Sequence, residues 1–360
     1  MSQSMIFNMK KKPLVLLFAL AFIGSSLSTP AFAAVKAGAT CKTKGQVKTV
    51  SGLKYTCIKS GKKLAWNMGV SISKPGVKPF VPWSTKFDVN SLVKSAIVST
   101  DSYAGVVRAS NSYEIAIENS VRESDRKWIS QMFDYTNGFF SKIEREKLKI
   151  FLGNTHEWSR DTMKSAGAWI GHPNQPYPCS DGTQDVYCAG YKNLVLLIFM
   201  NPSQIWDIGR RSTPAHEVFH TIQYSLLGYN LENFGPGHPQ RVPRWFMEGS
   251  ANYFGYYMVE KLGLESYENG RNNQVRFNSE YRNIKPLSTY DNFESNPYGI
   301  GQAATEYIIA SVGFESLLNI FKFAGTEGTF SAGFKKATGI ELSEFYSKFE
   351  DARSSMQIGS

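Results

Sequence analysis

The chain has 360 residues, 42% of them apolar, with 40 Lys and Arg against 30 Asp and Glu. That length admits one sizeable domain with a small companion, and no internal repeat or low-complexity tract divides it. After residue 33 no apolar run is long enough to cross a membrane, which excludes a multi-span protein.

Residues 1–33 read as a secretory signal. Lys10, Lys11 and Lys12 precede an apolar core at 14–23, and Ala31, Phe32 and Ala33 form a small-x-small cleavage site. The mature chain is therefore expected to begin at Ala34 as a soluble, exported protein with no transmembrane segment. Thr40 before Cys41 does not suit lipid attachment. Four cysteines, Cys41, Cys57, Cys179 and Cys188, form two sequence-local pairs, as expected of disulfides in an oxidising compartment.

Residues 34–69 form a compositional island of short alternating runs between glycines, predicting a small β unit stapled by Cys41–Cys57. A linker follows over 70–86, marked by Pro75, Pro79 and Pro82. The net charge of +10 is concentrated here, because residues 34–86 hold eleven Lys and no acidic residue. From residue 87 onward there are 26 basic and 30 acidic side chains. The basic segment suits an anionic cell-wall polymer or membrane headgroups, and a solubilising role equally; nucleic acid is not expected of an exported protein.

The main domain is expected over 87–360. Helices are predicted over 87–102 and 120–144, the second with Trp128, Met132, Phe133, Phe139 and Phe140 on one face, and strands over 147–152 and 168–170. A polar loop is expected over 176–191, clipped by Cys179 and Cys188. Asn193 to 200 is the strongest strand, a nearly continuous apolar run.

Next comes His216-Glu217-x-x-His220. Thr213 is suited to cap its helix and Pro214 to occupy the first helical position. His216 and His220 then share one stripe, extended by Gln223, while Glu217 lies to their other side. Two imidazoles one turn apart with an adjacent carboxylate are the ligands and general base of a zinc hydrolase. Chance supplies such a pentapeptide roughly 0.003 times in a chain of this composition. A catalytic zinc takes three protein ligands and an open position. Pro243 opens a second predicted helix that places Glu248 in its first turns and Asn252 one turn later on the same face. A polar surface excursion is expected over 265–296, then helices from Tyr298, over 314–323 and over 342–352.

His216-Glu217-x-x-His220 followed by Trp245-x-x-Glu248-Gly249-x-Ala251 resembles the gluzincin metallopeptidases, and the helical tail is similar to their peptidase-MA-like branch. The resemblance spans roughly 193–350. It implies an α+β catalytic domain with a small mixed sheet, a zinc helix and a helical C-terminal part, preceded here by the disulfide-stapled β unit. It implies that His216, His220 and Glu248 hold Zn2+ and that Glu217 is the base. Asn252 stands where thermolysin-like members have an acidic residue, and an amide there can still orient a histidine. It further implies a Tyr or His donor to the oxyanion; Tyr298 is the preferred residue, against His238 and Tyr290. Members of this group bind extended substrate along a strand upstream of the zinc helix, so 193–200 is either that edge strand or an interior strand paired on both sides. The expected function is a secreted zinc metallopeptidase acting on peptide or protein substrates, wall-associated through residues 34–86. Two alternatives stand beside it: a zinc hydrolase of peptidoglycan cross-links, and a surface-binding protein whose metallopeptidase domain has lost activity.

Overall fold

The computed structural model describes residues 35–359, apart from 36–37, 51–52, 61, 68, 72–79, 106, 108, 169–185, 200–207, 229–241, 278–284 and 292–295. Residues 1–33, expected to be a signal sequence, lie outside the described residues, as do Cys179 and His238, and with them the Cys179–Cys188 pairing.

The N-terminal unit is a four-stranded antiparallel sheet. β1 (Val47–Val50), β2 (Leu53–Ser60) and β3 (Lys63–Trp66) lie in that order, and β4 (Val70–Ser71) pairs with the start of β2. Among the described residues its buried core is Cys41, Tyr55, Cys57 and Trp66, with Val35, Ala39 and Leu64 packed against it. So small an apolar centre needs a staple, and the Cys41–Cys57 disulfide, 16 residues apart in sequence, supplies it. The unit is seated on the rest of the chain by buried polar contacts. The fully buried Lys261 ammonium pairs with Asp101 at 2.6 Å and donates to the Gly69 carbonyl at 3.2 Å. Tyr257 donates to the same Asp101 carboxylate at 2.8 Å.

The second sheet is mixed. Its order is β5 (Tyr113–Ile117), β6 (Leu148–Gly153), β8 (Leu194–Phe199), β7 (Val186–Tyr191), with β5, β6 and β8 parallel and β7 antiparallel to β8. α2 (Glu123–Phe139) and Val218 of α4 (Ile208–Leu226) pack on the face carrying Ile150, Leu152, Val195 and Leu197. The opposite face buries Phe151, Leu196 and Ile198 with Met163 of α3 (His156–Ser165). A strand covered on both faces has no solvent side, which is why 194–199 reads as an unbroken apolar run. It is also paired on both edges. The interior reading of this strand holds, and among the described strands the edge lies at β7. Cys188 is accordingly a strand residue opposite Leu197, not part of a loop.

The remaining helices form a layered bundle: α1 (Val89–Ala104), α4, α5 (Arg244–Lys261), α6 (Tyr267–Arg271), α7 (Tyr298–Val312), α8 (Phe314–Glu327), α9 (Phe330–Thr338) and α10 (Leu342–Met356). α5 is its axis, buried on nearly every side. Its glycines let neighbours approach to backbone contact. A Cβ on Gly249 would collide with the backbone of Gly301 in α7, and one on Gly301 with the Trp245 carbonyl. Likewise a Cβ on Gly255 would stand 2.8 Å from the Ser212 carbonyl of α4. The Gly-x-Gly at 299–301 thus serves helix crossing. Among the described residues no single helix is long and apolar enough to cross a membrane; α7 and α8 reach that composition only as a pair bent by 107°.

Two further expectations are corrected. α4 starts at Ile208, so Pro214 lies inside the helix rather than opening it. An internal proline forfeits a hydrogen bond, but burying Ala215, Val218, Phe219 and Ile222 outweighs that loss. Arg211 also ties the first turns down through the Leu264 carbonyl at 2.9 Å. The stretch 265–296 is not simply a surface excursion. Tyr267, Arg271, Val275 and Leu287 are buried, and Arg271 pairs with the fully buried Glu306 at 2.8 Å while Tyr267 donates to it at 2.6 Å.

The glycine crossing gives a direct test. Gly301→Ala should lower stability by about 1–3 kcal/mol or more, because neither backbone can yield to the added methyl. Urea midpoints for Gly301→Ala and for Gly325→Ala, at the separate α8 contact with Leu227, will show whether the cost is general to such contacts; an unchanged Gly301→Ala midpoint would contradict the packing.

Candidate metal centre

Helix geometry sets one turn between His216 and His220, and their Nε2 atoms lie 3.1 Å apart. α5 crosses so that Glu248 faces both. Its Oε2 is 3.4 Å from His216 Nε2 and 3.3 Å from His220 Nε2. All three side chains are buried, as is Glu217, whose carboxylate comes within 4.8 Å of the histidine nitrogens. His216, Glu217 and His220 make up a buried group able to hold a metal ion, and Glu248 stands closer to both imidazoles than that limit.

The supporting contacts fix which atoms face inward. Gln223 donates its amide to the Met247 carbonyl at 2.8 Å and to Ser250 Oγ at 2.9 Å. Its own Oε1 is left as an acceptor, 2.7 Å from His220 Nδ1. The Nδ1 proton is thereby held away from the centre and Nε2 turned toward it, the tautomer a metal ligand requires. Gln223 is fully buried and bridges the two helices that bear the three convergent groups. Arg244, one turn before Glu248, lies 3.5 Å from Oε1, leaving Oε2 to the histidines.

His220 and Glu248 favour each other's charged forms. Burial disfavours a protonated His220, yet the Glu248 carboxylate and hydrogen bond outweigh it and bring its pKa up to about 9. Burial likewise works against ionised Glu248, but the two histidines overcome it and hold the carboxyl well below the usual range. The centre thus presents an ionised carboxylate to any cation, and a metal binding there must displace a proton.

The other expected positions divide. Tyr298 opens α7, and its half-buried ring stacks at a tilt beside His216, centroids 6.0 Å apart. The Gly249–Gly301 contact one turn later is what brings it there. Tyr290 is buried in the helical core, with its carbonyl accepting from Trp245 N–H at 3.0 Å. Asn252 does not serve as the expected orienter of a histidine: its amide donates to Gln302 at 2.9 Å. Gln223 takes that part for His220, three residues on and along the same stripe, a spacing visible in the sequence.

No family model, curated protein or solved structure matches the chain.

Gln223→Ala should lower metal affinity 10–100-fold, as loss of a histidine's orienting partner does, while Gln223→Glu, which keeps an acceptor, should lose less. Competition against a chelator reads this directly, and equal affinity in all three proteins would remove Gln223 from the centre.

Proposed function

We propose that the chain is an exported zinc metallopeptidase of the gluzincin type. The supporting observation is one of distances. Ligand atoms at 2.0–2.1 Å around a tetrahedral zinc stand about 3.3 Å from one another. The three separations among His216 Nε2, His220 Nε2 and Glu248 Oε2 are 3.1, 3.4 and 3.3 Å. Two neutral nitrogens and a carboxylate also suit zinc chemically, and three protein ligands leave room for a reacting group. Histidines merely paired on a helix surface would need neither the shared carboxylate nor the buried Gln223.

A bound zinc ion supplies Lewis acidity, polarising a carbonyl and acidifying water. The chain's own residues do the rest. His216, His220 and Glu248 hold the ion. Glu217 is the general base, taking a proton from the attacking water and returning it to the leaving amine. Tyr298 donates its hydroxyl to the oxygen that gains charge in the transition state. An extended substrate pairs with the outer edge of β7, replacing β8 in the role expected from the sequence; main-chain pairing of this kind makes little demand on side chains.

The Cys41–Cys57 disulfide accords with an extracellular setting. The lysines of residues 34–86 favour one second reading, a zinc hydrolase of cell-wall cross-links. An inactive surface-binding protein would have no use for the buried carboxylate of Glu217.

Metal analysis should find about one zinc per chain, lost in His216→Ala and His220→Ala. Glu217→Gln should keep the metal and lose ~10²–10⁴ in turnover, and Tyr298→Phe should keep it and lose ~10²-fold or more. Casein and purified cell wall as parallel substrates separate the two readings. A Glu217→Gln protein with wild-type turnover on its substrate would overturn the mechanism, and an unchanged Tyr298→Phe would withdraw the tyrosine alone.

A further inference from the structure

We propose that the far end of the N-terminal β unit is a docking surface for a linear, phosphate-bearing polyanion. The inference stands apart from the reaction at the metal centre. β2 begins at Leu53, next to β4 and the Gly69 carbonyl that Lys261 holds. It ends at Ser60, roughly 23 Å further out at the usual rise per residue. Lys59 and Lys63 stand at that outer end, opposite Leu64 and Ser60, with Lys62 in the turn between the strands.

The preceding turn adds two more. Cys41 N–H donates to the Leu64 carbonyl at 3.2 Å, and Gly45 N–H to the Cys57 carbonyl at 2.8 Å. Together with the Cys41–Cys57 disulfide these bonds lay Lys42 and Lys44 alongside the hairpin. All five lysines are exposed, and no acidic residue occurs anywhere in 34–86. Several lysines elsewhere have an acid beside them, as Lys336 has Glu327 at 2.6 Å and Lys147 has Glu114 at 3.2 Å. Five like charges on so small a unit repel one another, and a polyanion relieves that repulsion while releasing its counterions.

The residue types narrow the partner. The segment has no arginine, so it offers compact point charges rather than planar forks that grip one phosphate in fixed geometry. Repeated phosphates along a flexible chain suit such a surface. Tyr55 and Trp66 are buried, which leaves no aromatic platform in the unit for stacking bases of a single-stranded nucleic acid. Among the described residues of the unit the exposed large apolar ones, Val47 and Val50, are on β1 and none is on the β2–β3 turn that carries Lys59, Lys62 and Lys63, so that tip has no wedge to enter an acyl layer.

The test uses the exported chain and immobilised long-chain inorganic polyphosphate. Five phosphate contacts, at the slope of about −0.7 each found for single strands, predict roughly a 100-fold fall in affinity between 50 and 200 mM salt. The combined substitution Lys42→Gln, Lys44→Gln, Lys59→Gln, Lys62→Gln and Lys63→Gln should weaken binding at least tenfold at the lower salt. The subset Lys59→Gln, Lys62→Gln and Lys63→Gln should give an intermediate loss, which keeps the result readable if the larger set disturbs folding. Lys335→Gln with Lys336→Gln on α9 should change nothing. Equal affinity of the wild type and the subset variant would overturn the proposal. So would tighter binding to vesicles of about 30% phosphatidylserine in phosphatidylcholine than to polyphosphate, which would make the surface a membrane contact.

Discussion

The structure depends on how closely α5 can be approached. Two neighbours reach its backbone, α7 where Gly249 meets Gly301 and α4 where Gly255 meets Ser212. Helices normally stand 8–10 Å apart, separated by side chains; glycine removes that spacer. Because α5 carries Glu248 and α4 carries both histidines, the first spacing sets how α7 presents Tyr298 and the second sets the depth at which the carboxylate meets the imidazoles. A site built on helices fixed at contact distance has little freedom to loosen.

The chemistry of the cluster was readable in the sequence because it depends on short-range spacing. A helical turn separates His216 from His220, and a tryptophan-led helix follows at a fitting distance with Glu248 in its first turns. What the sequence did not disclose is set by tertiary contact. Pro214 resembles a helix start, and local propensity cannot know that four buried apolar residues will carry the helix six residues further back. Asn252 and Gln223 are both amides one helical turn or less from a member of the cluster, Glu248 or His220. Which of them reaches a histidine depends on Gln302, Met247 and Ser250, contributed by other elements. β8 left two readings open, since a buried strand reads the same whether its edges are paired or not. α9 escaped notice although its signals are present: Thr329 caps it by accepting from Ala332 N–H, and Gly339 ends it in the left-handed region at φ 80°.

Burying this much polarity is costly, and the fold meets the cost by pairing. Glu306 is fully buried and is held by Arg271 and Tyr267, Tyr267 accepts from Gln302, and Gln302 accepts from Asn252. The chain of contacts begins one turn beyond Glu248 and ends at the Met356 carbonyl, which Arg271 also reaches at 2.9 Å. A network of this kind adds little net stability over an apolar core, but every member is stranded if its neighbour moves. It therefore ties the orientation of α5 to the seating of α6, α7 and the C-terminal helix.

The same reasoning changes the status of the N-terminal unit. Lys261 sits at the far end of the helix that presents Glu248, and its ammonium is shared between Asp101 of α1 and the Gly69 carbonyl. Gly69 belongs to the small basic sheet, so one donor of a fully buried cation is satisfied only while that sheet is in place. Cut away, the unit would leave an ammonium facing water or a void where an acceptor had been, at the far end of the helix that carries Glu248. A segment that looks detachable by composition is thus a wall of the domain's interior, and its removal would be felt along the helix that carries Glu248.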